Sequence, residues 1–408
     1  MINTLLKTLK NHDFVKKARS IAAKMLSFRR EIHAYPELAF QEIRTAEFIT
    51  KCLREIGIRK IKTGIAKTGV ICDIGDEPGP VIALRADMDA LPIQDGKNAV
   101  YASKIPGVMH ACGHDAHVAI LLGVAELLVE FFREHSISGG VRLLFQPAEE
   151  SQDQEGFSGA PRMIQEKVLD KVDGIFALHV DSTKPLGKML VCQGPFTAAV
   201  DTFSAWITAI GGHGAYPHDS RDPIWMLAPI LTALHGIVAR RINPLEPAVL
   251  SVCQVHGGSA CNVIPHEVFL EGTLRSFSPK VRELLISEVE SALTLTRPLG
   301  ADYRLKILRG YPPTINHPEM TALLQESART IPGIDEISEL PMGMGSEDFS
   351  FFCEKVPGTM CQIGAAVGDG IHRPHHSPGF DISERVLPVG AALLADSAIR
   401  FLIRGIKK

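Results

Sequence analysis

The chain has 408 residues, 45% hydrophobic and 22% charged, with a formal net charge of −3. That much apolar material offsets the entropy of ordering the chain, which excludes a disordered polymer and predicts two or three domains of about 150 residues. No basic block exists to neutralise a row of phosphates, no run approaches the ~20 apolar residues of a membrane span, and residues 1–24 lack the apolar core of a secretory signal.

Residues 16–57 carry apolar positions at helical spacing, through Ile21, Met25, Ile32, Phe48, Ile49 and Leu53. Pro36 divides them into two helices joined near Tyr35. The period then changes. Residues 81–84, 141–145, 174–178 and 359–363 are short apolar runs ending in turn or polar residues, the pattern of buried strands. A helix is predicted over 116–132, with Ile120, Val124, Leu127, Leu128 and Phe131 in one stripe. Strand alternating with helix predicts an α/β domain, a mixed and largely parallel sheet sandwiched by helices.

From 195 to 311 the rhythm differs. A strand around 203–209 alternates apolar and polar residues. A helix over 223–242, strands over 248–255 and 268–277, a helix opened by Ser278-Pro279 and a strand over 303–308 follow. The order β-α-β-β-α-β is that of a ferredoxin-like α+β domain. The α/β pattern resumes after it, so the first domain is discontinuous, 1–194 and 312–408, with 195–311 inserted.

Polar residues gather at the ends of the α/β elements. Five segments carry them: Asp87 and Asp89, then His110, Cys112, His114, Asp115 and His117, then Glu149-Glu150, then His179, and finally His372, His375 and His376. In an open α/β sheet, ligands collect outside the carboxyl ends of the strands. A metal accounts for the convergence, since Cys, His and carboxylate suit Zn, Co, Ni or Mn. Singly, each segment has a plainer explanation. Glu149-Glu150 would be a solvated face, His179 a core histidine, Asp87 and Asp89 turn residues, Asp115 a helix N-cap and His375-His376 a surface loop. All of these would have to hold at once.

Ordered motifs run through nearly the whole chain: Arg29-Arg-Glu-Ile-His33-Ala-Tyr-Pro36-Glu37, Phe40-Gln-Glu42, Leu84-Arg-Ala-Asp-Met-Asp-Ala-Leu-Pro92, Met109-His-Ala-Cys-Gly-His-Asp115 and Phe145-Gln-Pro-Ala-Glu-Glu150. Gly211-Gly-His-Gly-Ala-Tyr-Pro-His218, Asn262-Val-Ile-Pro265, Gly272-Thr-Leu-Arg275, Gly345-Ser-Glu-Asp-Phe349 and His376-Ser-Pro378 follow. Together they resemble the M20 metallopeptidase family, in its amidohydrolase branch of hippurate hydrolases, aminoacylases, some carboxypeptidases and plant auxin-conjugate hydrolases. The resemblance implies a catalytic domain with an inserted lid and dimerisation domain. It implies metal ligands at Cys112, His114, Glu150, His179 and His376, a general base at Glu149, and an orienting role for Asp89. Asp87 stands where relatives outside the branch carry a metal-binding His. His213 is implied to reach the partner subunit's site and to steady the oxyanion, an effect worth ~3 kcal/mol. Asn262 and Arg275 are implied to hold the substrate carboxylate; Arg275 also reads as a surface or interface charge. The stripe Trp225, Leu227, Ile230, Leu231 and Leu234 reads equally as a dimer surface or as lid core.

The expected activity is metal-dependent hydrolysis of the amide bond of N-acyl amino acids. Five ligands exceed the needs of one tetrahedral ion, so two divalent ions are expected, bridged by a shared ligand. Glu149 beside a ligand is placed to take a proton from water and return it to the leaving amine. The alternatives are a metallo-carboxypeptidase acting on short peptides, a cysteine hydrolase using Cys112 and His114, and a non-catalytic metal-binding interaction protein. The expected partners are a small-molecule substrate and a second copy of the chain, with no nucleic acid and no membrane. Eight scattered cysteines without a CxxC pair, and no export signal, point to the cytosol.

Overall fold

The computed structural model describes Leu9 and residues 12–405. The chain forms two compact units. The first runs to Phe196 and resumes over Ile315–Met342 and from Asp348; the second comprises Thr197–Thr314 and Gly343–Glu347. No sequence pattern marked the short return at Gly343–Glu347.

In the first unit an eight-stranded sheet has the spatial order Ile61–Ile65, Gly69–Glu77, Gly139–Gln146, Val81–Asp87, Gly174–Asp181, Gly358–Gly364, Lys188–Leu190, Glu336–Ser338. The four strands expected from the sequence form its parallel centre. Antiparallel pairings at both flanks make the sheet mixed. The central strands do not alternate because both faces are covered. Ile82, Leu84, Phe176 and Leu178 pack into one apolar cluster, with the helices His114–Glu134 and Val386–Arg404. Ala83, Leu144, Ile175 and Ala177 pack into another, with Met163, Phe349 and Phe352. The flanking strands escaped the sequence reading because Ile61–Ile65 is largely exposed, and Lys188–Leu190 and Glu336–Ser338 span three residues each.

The N-terminal helical stretch is three helices, Phe14–Ser20, Ala22–Ala34 and Ile43–Ile56, rather than two. The extra break falls at Ile21, whose φ of −102° and ψ of 8° leave the helical region. Asp115 does not cap its helix. His114–Glu134 starts one residue before it, and Asp115 lies buried in the first turn, accepting from Arg29 Nε at 2.9 Å and His33 Nδ1 at 2.7 Å.

The second unit is a four-stranded antiparallel sheet in the order Ala248–Gly257, Glu267–Ser276, Ala199–Thr208, Asp302–Arg309. This is the expected ferredoxin-like arrangement. Ala199–Thr208 and Glu267–Ser276 alternate buried and half-buried residues because helices cover one face. Those helices are Pro223–Arg241, capped by Asp222, and Pro279–Leu293, capped by Ser278. Leu227, Ile230 and Leu234 of the apolar stripe lie in the core of the second unit, whereas Trp225 is 60% exposed.

Among the described residues, two helices, Pro223–Arg241 and Val386–Arg404, are long and apolar enough to cross a membrane by length and composition. Neither is an unbroken apolar run, because small or polar residues such as Gly236, Gly390 and Ser397 interrupt them. Val386–Arg404 is almost wholly buried within the first unit, as the core helix of a folded domain would be.

Candidate metal centre

The parallel strands deliver the polar residues. Val81–Asp87 ends in Arg85-Ala-Asp87 with Asp89 just beyond, Gly139–Gln146 leads into Glu149-Glu150, and Gly174–Asp181 carries His179. Gly113 separates Cys112 from His114 at the entry of the long helix, with φ +98°. A Cβ there would stand 2.5 Å from Val180 Cγ2, so both the turn and the packing require glycine. His376, with φ +58°, is tied to the same corner by its N–H, which donates to the Ala111 carbonyl at 2.8 Å.

Hydrogen bonds fix the histidine tautomers. His114 Nδ1 donates to the Asp89 carbonyl at 2.9 Å. Its Nε2 is buried and has no hydrogen-bond partner among the described residues. It faces Glu150 Oε1 at 3.9 Å and Glu149 Oε2 at 4.0 Å. His179 Nδ1 donates to the Val180 carbonyl at 2.7 Å, turning Nε2 to Cys112 Sγ at 3.4 Å. His376 Nε2 lies 3.0 Å from Glu150 Oε1. The donor atoms form overlapping triads, Cys112–His114–His179, Cys112–Glu150–His376 and His114–Glu149–Glu150, each within 4.8 Å. His375 is directed elsewhere: Nε2 accepts from Ser182 N at 3.4 Å, and the ring lies 5.3 Å from that of His179.

This donor set fits a divalent cation. Burial and the carboxylates of Glu150 and Glu149 push the Cys112 thiol well above its ordinary value. Burial lowers the pKa of His114, but Asp87 and Asp89 outweigh it and hold the ring up to about 10. A pocket this rich in negative charge retains protons that a cation would displace. A thiol, imidazoles and a carboxylate are the ligand types that suit zinc and its neighbours.

Asp87 and His117 also lie within donor distance of His114, but their atoms are committed. Val180 N donates to His117 Nε2 at 2.9 Å, so the proton sits on Nδ1, which donates to Asp87 Oδ1 at 2.6 Å. Asp87 Oδ2 accepts from Arg85 Nη1 at 2.6 Å. Arg85 continues to Gln146 Oε1 at 2.8 Å and Asp348 Oδ1 at 3.0 Å, and Asp348 also accepts from Ser158 Oγ at 2.7 Å. Burial opposes ionisation of Asp87, yet Arg85, His114 and His117 hold its carboxyl well below the usual range. Asp89 supports the loop instead, accepting from the N–H groups of Glu149 and Glu150 at 3.0 Å each. A separate cluster, His12–Glu134–His135, is already filled by a cation: Lys17 Nζ lies 3.3 and 3.2 Å from the two oxygens of Glu134.

The remaining candidate residues belong to the second unit. His213 is exposed, on a short strand whose partner places Val263 opposite it. Its Nδ1 accepts from Ala215 N at 3.0 Å, which leaves the proton on Nε2. Asn262 is adjacent, its carbonyl accepting from Gly214 N at 2.8 Å. Arg275 is half-buried on the sheet, and its buried Nη1 has no hydrogen-bond partner among the described residues.

Residues 83–400 match the family model of peptidase family M20/M25/M40. The chain belongs to that family. Over 400 residues it is 40% identical to N-acetyl-L-cysteine deacetylase of Bacillus subtilis, covering 97% of this chain and 92% of that protein. Over 398 residues it is 38% identical to thermostable carboxypeptidase 1 of Saccharolobus solfataricus, covering 95% and 99%. The crystal structure of the Bacillus subtilis YXEP protein, described as a dinuclear metal-binding peptidase of the M20 family, aligns with a TM-score of 0.81 at 34% identity, over 94% of this chain and 99% of that one. This M20 chain is a hydrolase, of a family of amidohydrolases and carboxypeptidases.

Sequence reasoning assigned no role to Arg85, Gln146, His117 or Asp348 of this M20 site. Arg85 and Gln146 carried a signal nonetheless. Each is a polar residue within or directly after an apolar strand, and a charge buried there requires a partner.

Proposed function

We propose that this M20 enzyme releases amino acids from N-acyl amino acids by hydrolysing the amide bond. In this reading Cys112, His114, Glu150, His179 and His376 hold two divalent ions, Zn, Mn, Co or Ni. The observation that carries the reading is the buried, unpartnered Nε2 of His114 facing Glu149 and Glu150, with Cys112, His179 and His376 completing the donor set. When bound, such ions supply Lewis acidity, polarising the carbonyl and lowering the pKa of water toward about 7.

Glu149 takes the proton of the attacking water as the new C–O bond forms. It delivers that proton to the nitrogen as the C–N bond breaks, leaving a carboxylate and a free amino acid. Asp89 keeps Glu149 and Glu150 in register through their backbone N–H groups. In the inserted lid, Asn262 and Arg275 hold the substrate carboxylate, a role supported by the unpartnered Nη1 of Arg275. His213, contributed across a homodimer, donates its Nε2–H to the developing oxyanion. Eight free cysteines support a reducing compartment, the cytosol.

The carboxypeptidase resemblance favours a second reading, in which the same carboxylate clamp grips the C-terminus of a short peptide. Hippurate, N-acetyl amino acids and dipeptides, each assayed with Zn, Mn, Co and Ni, separate the two. Loss of turnover on chelation and its return with metal is the expected result. Full activity in exhaustively metal-free protein overturns the metal mechanism.

A further inference from the structure

The segment carrying Glu149 turns through a strained elbow. Ala148 has φ +50°, in the left-handed region that L-residues rarely occupy. Its N–H donates to Glu42 Oε1 at 2.9 Å, and its carbonyl accepts from Gly159 N at 2.8 Å. The next two N–H groups, of Glu149 and Glu150, donate to the two oxygens of Asp89. Three consecutive amides are thus gripped by two buried carboxylates from distant parts of the chain. Glu42 is fully buried, and its second oxygen accepts from Thr68 Oγ1 at 2.5 Å. It comes from the motif Phe40-Gln-Glu42, for which the proposed reaction has no use.

We infer that Glu42 is a positioning residue, which holds the strained peptide at Ala148 and so fixes the direction in which Glu149 points. The inference rests on the reading of Glu149 as general base. Without an acceptor for its buried N–H, Ala148 relaxes to negative φ and the peptide rotates, re-aiming the side chain that follows. Glu42→Gln keeps an acceptor for Ala148 and offers an N–H to Thr68, whereas Glu42→Ala provides neither. Glycine at 148 removes the strain, because its αL conformation carries no Cβ penalty.

The test compares Glu42→Gln, Glu42→Ala and the double variant Glu42→Ala/Ala148→Gly in metal-loaded enzyme. Glu42→Gln keeps kcat within about threefold of wild type, while Glu42→Ala loses about 100-fold in kcat with KM and metal content little changed. The double variant recovers at least about tenfold of that loss, a rescue that a purely structural role does not give. Hydrogen exchange of the peptide spanning Ala148–Glu150, followed by mass spectrometry, reads the clamp without any turnover and rises selectively in Glu42→Ala. Unchanged exchange there, or no rescue by glycine, overturns the inference. Should Glu42→Ala fail to fold, Glu42→Gln decides: a loss of about 100-fold in kcat despite unchanged exchange overturns it too. Glu149→Gln run alongside separates the two ideas. Retained turnover in that variant removes Glu149 as base and leaves the exchange result to judge the clamp.

Discussion

His117 and Asp87 form a closed pair: Nδ1–H of the imidazole donates to Oδ1 at 2.6 Å, while the other ring nitrogen accepts from Val180 N–H at 2.9 Å. Both nitrogens are used, so His117 has none left to offer a cation at the candidate metal centre. Its ring centroid lies 4.6 Å from that of His179 and 5.5 Å from that of His114. Partners of this kind set ligand orientation, and their loss typically costs about 10- to 100-fold in metal affinity. His117→Ala is expected to weaken metal binding by that much in competition with a chromophoric chelator. Wild-type affinity in this variant would show that the pair does not orient the ligand histidines.

The proposed reaction divides two tasks between adjacent carboxylates. Glu150 Oε1 lies 3.0 Å from His376 Nε2 and shares a donor triad with Cys112, whereas Glu149 shares a triad with His114 and Glu150. Glu149→Gln is expected to lower kcat by about 100-fold or more with metal content near wild type. Glu150→Gln is expected to lower metal content. Elemental analysis beside steady-state kinetics checks both, and a Glu149→Gln enzyme that keeps most of its rate refutes the assignment of the base.

Glu42 makes stability depend on pH. Burial, reinforced by the nearby Asp89 carboxylate, pushes its pKa up from 4.5 to about 7. The folded state therefore binds this proton more tightly than the unfolded chain. The resulting stabilisation is complete below about pH 4.5 and is lost as pH rises through about 7, with a ceiling of about 3 kcal/mol. Glu42→Gln cannot ionise. Relative to wild type it is expected to gain stability between pH 4.5 and 7 and to hold that gain at pH 8. Denaturant titrations at pH 5 and pH 8 measure this, and an equal stability difference at both pH values contradicts the raised pKa.

Much of the fold was written in periodicity, and what was missed has physical reasons. The four central strands announce themselves because a strand covered on both faces must be apolar along its length. Ile61–Ile65, an exposed edge strand, carries no such constraint. The candidate metal ligands were visible because Cys112, His114, Glu150, His179 and His376 cluster at element ends. The roles of Arg85, Glu42 and Asp348 were not, because each acts through a partner far away in the chain: Arg85 and Asp348 are 263 residues apart, and Glu42 and Ala148 are 106 apart. The tautomer of His117 depends on the backbone N–H of Val180, a relation that no sequence motif encodes.

His213 lies in the second unit, flanked by Gly212 and Gly214, with an exposed imidazole whose Nδ1 is occupied by the N–H of Ala215. Nε2–H is left as the donor, the form suited to stabilising an oxyanion. If it serves the site of a neighbouring subunit, His213→Ala lowers kcat by about 100-fold or more while metal content is unchanged. Mixing two inactive variants gives the sharper test. A heterodimer of Glu149→Gln and His213→Ala chains contains one site with an intact Glu149 and an intact His213 supplied by the other chain. Random exchange of equal amounts makes half the dimers mixed, each with one working site, so activity is expected to recover to roughly a quarter of wild type. Verified heterodimers that stay inactive would show that His213 acts within its own chain or takes no part in the reaction.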